Sequence, residues 1–208
     1  MTGLLLSLLI ALISMGISSL HPGFDSLVIS IILGMLVGNF IEKKFFLQSG
    51  INICIRFCLP AGIILYGSQL IINRAVLSHL IMVPLIFFII FFLALAVSRL
   101  IKIKRELSLL LATGLSVCGA SAITVLSPLI GAKREETSLS IISVMVVGLI
   151  GLVIYPLLWS NSGLTEQGFA LFTGTTLPML GQVKVVSGMV SEKVLALSLN
   201  YKLLRIFL

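Results

Sequence analysis

Long apolar runs, separated by short polar connectors, make up most of this sequence. A helix needs roughly 20 mostly apolar residues to cross the hydrocarbon core of a bilayer, and several of these runs reach that length. The pattern therefore predicts an all-α polytopic membrane protein of about seven to eight helical segments in a single transmembrane domain, residues 1–208. The predicted segments are residues 3–20, 26–41, 51–72, 75–98, 107–132, 138–159, 169–190 and 194–208.

The composition favours a membrane protein over a soluble or disordered one. Apolar residues make up 59% of the chain and charged residues 10%, with a mean hydropathy of +1.24, whereas soluble domains carry about 25% charged residues. In a soluble protein a net charge of +7 would suggest nucleic acid as a partner, but here the basic residues lie mainly in the connectors. The lipid bilayer is therefore the expected partner, and nucleic acid is not.

The distribution of basic residues predicts the orientation of the chain. One pair occupies residues 43–44 and a denser group lies between the fourth and fifth segments, whereas residues 21–25 hold no Lys or Arg. Short basic connectors stay on the cytoplasmic side. We therefore expect a cytoplasmic amino terminus and a first segment that is not cleaved as a signal peptide, while the topology after residue 131 stays open. The denser group consists of Arg99, Lys102, Lys104 and Arg105.

The fifth segment is interrupted by small and polar residues between positions 113 and 122. Gly is a poor helix former, and Ser and Thr hydroxyls compete for backbone hydrogen bonds, so we expect the helix to unwind there. Unwound backbone at membrane depth survives only inside protein or beside a wet cavity, and transporters bind substrates at such breaks. Close helix packing by small residues is the open alternative. The candidate substrate-binding residues are Ser116, Cys118, Gly119, Ala120 and Ser121.

The seventh segment is interrupted as well, by Pro178 and Gly181. Lys184 lies well inside that run, and a cation at mid-membrane costs about 2.5–3.5 kcal/mol unless it faces a cavity or a partner. Snorkelling to the headgroups is the alternative interpretation of this lysine. Thr176, Gln182 and Lys184 therefore complete the predicted substrate site.

The residue inventory favours an anionic solute and disfavours catalysis. Residues 51–100, 107–133 and 137–165 contain no Asp or Glu, so proton coupling through a buried carboxylate is disfavoured and an anion would balance the buried cations. The three Cys and two His residues form no metal-ligand spacing or catalytic motif. We therefore expect no enzymatic activity, no cofactor and no metal.

Around Cys118-Gly-Ala-Ser121 the sequence resembles the YeiH-like family of uncharacterised inner membrane proteins, also named as sulfate exporters. The resemblance runs from about residue 25 to the end. It implies a multi-pass protein of the bacterial inner membrane, similar in architecture to the inverted-repeat fold of sodium/proton antiporters and bile acid symporters. It also implies that this chain is a shortened member, since similar proteins continue for roughly a further third.

The residues together predict a secondary transporter of a small anion with its site at the two interrupted segments, and the resemblance implies that it exports sulfate or a related oxyanion. The rival hypothesis is a non-transporting membrane subunit or a truncated remnant of such a transporter, whose small-residue faces dock other helices. A channel ranks last, because nothing in the sequence resembles a filter-forming loop. Homo-oligomerisation stays open.

Overall fold

The computed structural model describes residues 2–20, 26–40, 45–58, 61–62, 64–65 and 74–208. The described residues contain no strand, which confirms the predicted all-α class, and three helices within them are long and apolar enough to span a membrane. The connector at residues 21–25 and the basic pair at 43–44 lie outside the described residues. In chain order the helices are α1 (Thr2–Leu20), α2 (Ser26–Phe40), α3 (Phe45–Ile53, continued by a π-helical turn, Cys54–Cys58), α4 (Arg74–Ser78), α5 (Met82–Leu100), α6 (Arg105–Ser116), α7 (Ala120–Leu129), α8 (Arg134–Ser162), α9 (Glu166–Thr176), α10 (Leu180–Gly188) and α11 (Glu192–Ile206).

The chain divides into two compact units, Met1–Ser68 and Gln69–Leu208. In the first unit, α1 packs against α2 and α3. A Cβ atom added to Gly3 would lie 2.2 Å from the carbonyl oxygen of Leu47, so the backbones of α1 and α3 touch there. Small residues allow this kind of close approach between membrane helices.

The second unit contains two helical hairpins where the sequence pattern predicted two interrupted spans. In the first, α6 and α7 run side by side, because a Cβ on Gly114 would lie 2.6 Å from Cδ1 of Ile123. After α7 the chain is again near the residue where α6 began. The ammonium of Lys104, which directly precedes α6, lies 3.7 Å from the Glu136 carboxylate at the start of α8. We call residues 105–129 the first hairpin and residues 117–119 its tip. Its open end, where α6 begins and α7 ends, is its base.

The second hairpin, residues 166–188, has the same form. Thr173 of α9 lies 3.3 Å from Ser187 of α10, hydroxyl to hydroxyl. At its base the Glu166 carboxylate accepts hydrogen bonds from Ser191 at 3.1 Å and from Lys193 at 2.9 Å. A continuous helix across this segment would separate those groups by more than 30 Å. The chain therefore reverses at the tip, residues 177–179, and α11 starts beside the place where α9 started.

Helix α8 shows that the two hairpins enter from opposite ends of the second unit. Its 29 residues span about 43 Å, and its contacts pass from the base of the first hairpin to both tips and then to the base of the second. The two tips therefore meet near the middle of α8. In order along α8, the α8 residues and the hairpin residues that they contact are Thr137 with Ser127, Val144 with Gly114, Gly148 with Gln182, Gly151 with Leu177, Tyr155 with Thr176 and Trp159 with Phe169.

The predicted interruptions are thus present, at residues 117–119 and 177–179, but the chain turns back at each instead of continuing across the membrane. Gly119 adopts φ +76°, a conformation that an L side chain rarely takes, and this allows the reversal of the first hairpin. In the second, extended residues flank Pro178, which cannot continue a helix. A Gly or Pro interruption looks the same in the sequence whether the helix kinks and continues or the chain turns back.

Candidate functional site

The two hairpin tips lie in direct contact. A Cβ atom added to Gly119 would lie 2.9 Å from Cγ of Met179 and 3.5 Å from the carbonyl oxygen of Pro178. A glycine is therefore required at position 119 for two reasons. It adopts a positive φ, and it leaves the space that Met179 occupies. Four helix ends converge at this point: the carboxyl ends of α6 and α9 and the amino ends of α7 and α10.

Glycines of α8 make room for the second tip. A Cβ on Gly148 would lie 2.0 Å from Nε2 of Gln182, and a Cβ on Gly151 would lie 2.6 Å from Cδ2 of Leu177. Gln182 is buried against this face, where its Oε1 accepts a hydrogen bond from the backbone N–H of Met179 at 3.2 Å. That bond satisfies one of the amides that the start of α10 leaves without a helical partner.

Lys202 of α11 reaches both tips. Its side chain is fully buried, and its ammonium donates to three backbone carbonyls: Leu177 at 2.7 Å, Pro178 at 2.8 Å and Val117 at 3.0 Å. An ammonium has three hydrogens to donate, and these three bonds use all of them. Lys202 therefore ties the first tip to the second through charge-assisted hydrogen bonds, the stronger kind.

Arg205 lies one helical turn further along α11 and is also fully buried. Its guanidinium donates hydrogen bonds to carbonyl oxygens at the carboxyl ends of α6 and α9. The last carbonyls of a helix have no intrahelical partner and carry its partial negative charge. Lys202 and Arg205 together supply donors for these orphan groups at both tips. The acceptors of Arg205 are the carbonyls of Leu115, Ser116, Thr175 and Leu177.

The centre of the second unit is consequently positive. The partial charges of the two amino ends and two carboxyl ends cancel to first order, which leaves the charges of Lys202 and Arg205. The five carboxylates of residues 69–208 all belong to the ends of helices at the hairpin bases and form their described ion pairs there, Lys104 with Glu136 and Lys193 with Glu166. They are Glu106, Glu135, Glu136, Glu166 and Glu192.

The structure brings most of the sequence-predicted site residues to the tips. Ser116 is fully buried at the end of α6, and Cys118 Sγ lies 2.6 Å from Ser121 Oγ across the turn formed by Gly119 and Ala120. In the second hairpin Gln182 lies at the tip, and the Thr176 hydroxyl bonds Tyr155 of α8 at 2.7 Å. These seven residues therefore cluster where the hairpins meet.

Lys184 lies elsewhere. Its side chain is exposed on α10, beyond the first turn of that helix, and the ammonium that holds the tip carbonyls is that of Lys202. A role for Lys184 in binding stays a prediction.

Sequence reasoning missed Lys202 and Arg205. Both occur in the last apolar run, three residues apart, which places them on one face of a helix. That spacing was the available signal, but basic residues in an apolar run also occur as an ordinary flanking pair at a membrane boundary. Their burial depends on the tips of two other hairpins, which the local sequence does not encode.

The described residues contain no group of three or more His, Cys, Asp or Glu side chains placed to hold a metal ion. The polar groups at the tips include backbone amides and carbonyls, hydroxyls, a thiol and the Gln182 amide, and two cations add positive charge beside them. This set can bind and orient an anion by hydrogen bonds and charge.

Comparison with known proteins assigns the chain to a membrane family. The family described as Conserved hypothetical protein 698 matches residues 2–208. The chain is similar to a UPF0324 membrane protein of Archaeoglobus fulgidus, with 34% identity over 203 residues, covering 93% of this chain and 60% of the relative. A UPF0324 membrane protein of Oceanobacillus iheyensis is 30% identical over 213 residues, covering 100% of this chain and 62% of the relative. The chain thus spans about three fifths of the length of these curated relatives. No solved structure matches it.

Proposed function

We propose that this chain, which belongs to the conserved hypothetical protein 698 family of membrane proteins, carries the anion site of a secondary transporter in the bacterial inner membrane. The site lies where the two hairpin tips meet, and the proposal involves no catalytic step. One observation carries it: two buried cations lie at the tips, while the carboxylates of the second unit lie at the hairpin bases. An anion is the solute that such a centre favours.

The polar groups at the tips fit that solute. The amino ends of α7 and α10 present backbone N–H groups that have no intrahelical acceptor, and such ends attract anions. The Ser121 hydroxyl and the Cys118 thiol lie at the first of these ends. Sulfate or a related oxyanion is the proposed solute, since the sequence resembles proteins named as sulfate exporters.

The arrangement of the hairpins suits alternating access. The base of the first hairpin lies beside the basic residues 99–105 and the base of the second lies at the other end of α8. If the basic end is cytoplasmic, the first hairpin enters from the cytoplasm and the second from outside. Movement at either hairpin would then open the shared tips to one side of the membrane.

The test is anion flux through the purified chain in liposomes. We expect uptake of radiolabelled sulfate above that of empty vesicles, and a loss of about tenfold or more in Ser121→Leu, which fills the start of α7 with an apolar side chain. Ser138→Leu is the matched control, because that serine is exposed at the start of α8. In the same assay, unchanged flux in Lys184→Met would remove that residue from the site.

Two results would contradict the proposal. Equal flux in the Ser121→Leu and Ser138→Leu variants would separate transport from the tips. An absence of flux for sulfate, thiosulfate, phosphate and nitrate, together with a stable crosslinked partner in native membranes, would favour a non-transporting subunit instead.

A further inference from the structure

The tips carry backbone carbonyl groups, which are the groups that usually bind a coupling cation in such transporters. In secondary transporters with interrupted helices, unwound carbonyls and the carboxyl ends of half-helices coordinate Na⁺ or receive H⁺. Here six such carbonyls converge, three from each hairpin. They belong to Leu115, Ser116, Val117, Thr175, Leu177 and Pro178.

All six oxygens already face a cation that belongs to the chain. Lys202 and Arg205 donate seven hydrogen bonds to them, and the Leu177 carbonyl accepts from both side chains. The Lys202 ammonium lies 2.7–3.0 Å from three of the oxygens. A metal ion at the same position would have to displace a covalently attached charge of the same sign.

We propose that the Lys202 ammonium is a built-in substitute for a coupling metal ion, so that the site binds and moves its anion without Na⁺ or K⁺. The proposal rests on the anion transport described above and adds the source of its driving force. Each anion would enter a centre whose cations are side chains of the protein itself, and net movement would follow the anion gradient and the membrane potential, or exchange against a second anion.

Thermal unfolding of the detergent-purified protein tests the cation site without relying on transport. We expect the unfolding midpoint of the wild-type chain to be the same in sodium, potassium and choline chloride. Lys202→Ala removes the ammonium and leaves a space into which n-propylammonium fits. At ten times its Kd this ion should raise the midpoint of the variant by about 3–6 °C, while leaving the wild type unchanged.

Lys193→Ala is the matched control, since Lys193 lies on the same helix with its side chain 66% exposed. It should show no response to n-propylammonium. Lys202→Met serves if Lys202→Ala does not fold, because it removes the ammonium and keeps most of the side-chain volume. Its midpoint should be higher in potassium chloride than in choline chloride, since the three oxygens that lie 2.7–3.0 Å from the ammonium are then open to a cation of similar size. A wild-type midpoint that rises in sodium or potassium, or a Lys202 variant that responds no more than Lys193→Ala, would overturn the proposal.

A flux measurement separates this inference from the proposed function. Sulfate uptake by the wild type should change by less than about twofold when choline replaces Na⁺ and K⁺, and a loss of about tenfold or more would mean that a metal ion is required. Absence of flux in every salt would instead count against the transporter proposal, and the unfolding experiment would still decide whether Lys202 fills the cation position.

Discussion

Replacing Arg205 by Leu should destabilise the second unit severely. The guanidinium is buried, and its removal leaves the carbonyls of Leu115, Ser116 and Thr175 without their donor, whereas Leu177 keeps its bond from Lys202. Each buried acceptor left unsatisfied costs about 1–3 kcal/mol. Because removal also relieves the desolvation cost of the cation, we expect a net loss of about 3–5 kcal/mol, as when one partner is removed from a buried charged network.

The single tryptophan of the chain reports this change. Trp159 packs against Phe169 of the second hairpin, with ring centroids 5.0 Å apart, so its fluorescence follows unfolding of the second unit. At about 2–4 °C per kcal/mol, the expected decrease in the midpoint is about 6–20 °C. Arg205→Lys should be intermediate, because lysine keeps the charge but not the planar, forked set of donors.

Arg134→Leu is the control, since that arginine is exposed at the start of α8 and should change stability by no more than about 0.5 kcal/mol. The double variant with Lys202→Met should lose more than the sum of the single variants, because only together do they remove both donors from the Leu177 carbonyl. A midpoint for Arg205→Leu within about 2 °C of Arg134→Leu would refute the reasoning, since the tip carbonyls would then be satisfied in some other way.

Two further predictions concern the second hairpin. Gly174→Ala should destabilise it by about 1–3 kcal/mol, because the new Cβ would lie 2.5 Å from the backbone carbonyl of Ser198; in the same unfolding assay Gly188→Ala, with nothing within 4 Å of its Cβ, should be neutral or stabilising. At the base, hydrogen bonds from Lys193 and then Ser191 hold the pKa of the Glu166 carboxyl below its usual range. A carboxyl with a lowered folded-state pKa stabilises the protein above its unfolded pKa, and that stabilisation is lost as the pH falls through the folded pKa. The stability difference between wild type and Glu166→Gln should therefore shrink between about pH 6 and pH 3, and a difference that stays constant over that range would contradict this role.

Much of the fold can be predicted from local sequence, because the hydrophobic effect on a segment depends on the apolar character of its own residues. The apolar runs predict the membrane class, and most described helices fall within the predicted segments or extend them by a few residues, whereas α3 starts six residues before the third segment. Local chemistry also locates the interruptions: Gly119 and Pro178 cannot sit in a regular helix without cost. Six of the predicted site residues lie within those breaks or directly beside them, and Gln182 follows the second break within one turn.

Only the tertiary structure determines the direction of the chain after each break and which cations lie at the site. Turning back at Gly119 and Pro178 is settled by contacts between residues far apart in sequence, such as Glu166 with Lys193 and Lys104 with Glu136. Lys184 carries the stronger local signal of burial, yet Lys202 and Arg205 occupy the centre, because the carbonyl ends of two other hairpins converge on α11. A charge is stable in a membrane protein where partners from other elements surround it, and the residues next to it in the chain do not specify those partners.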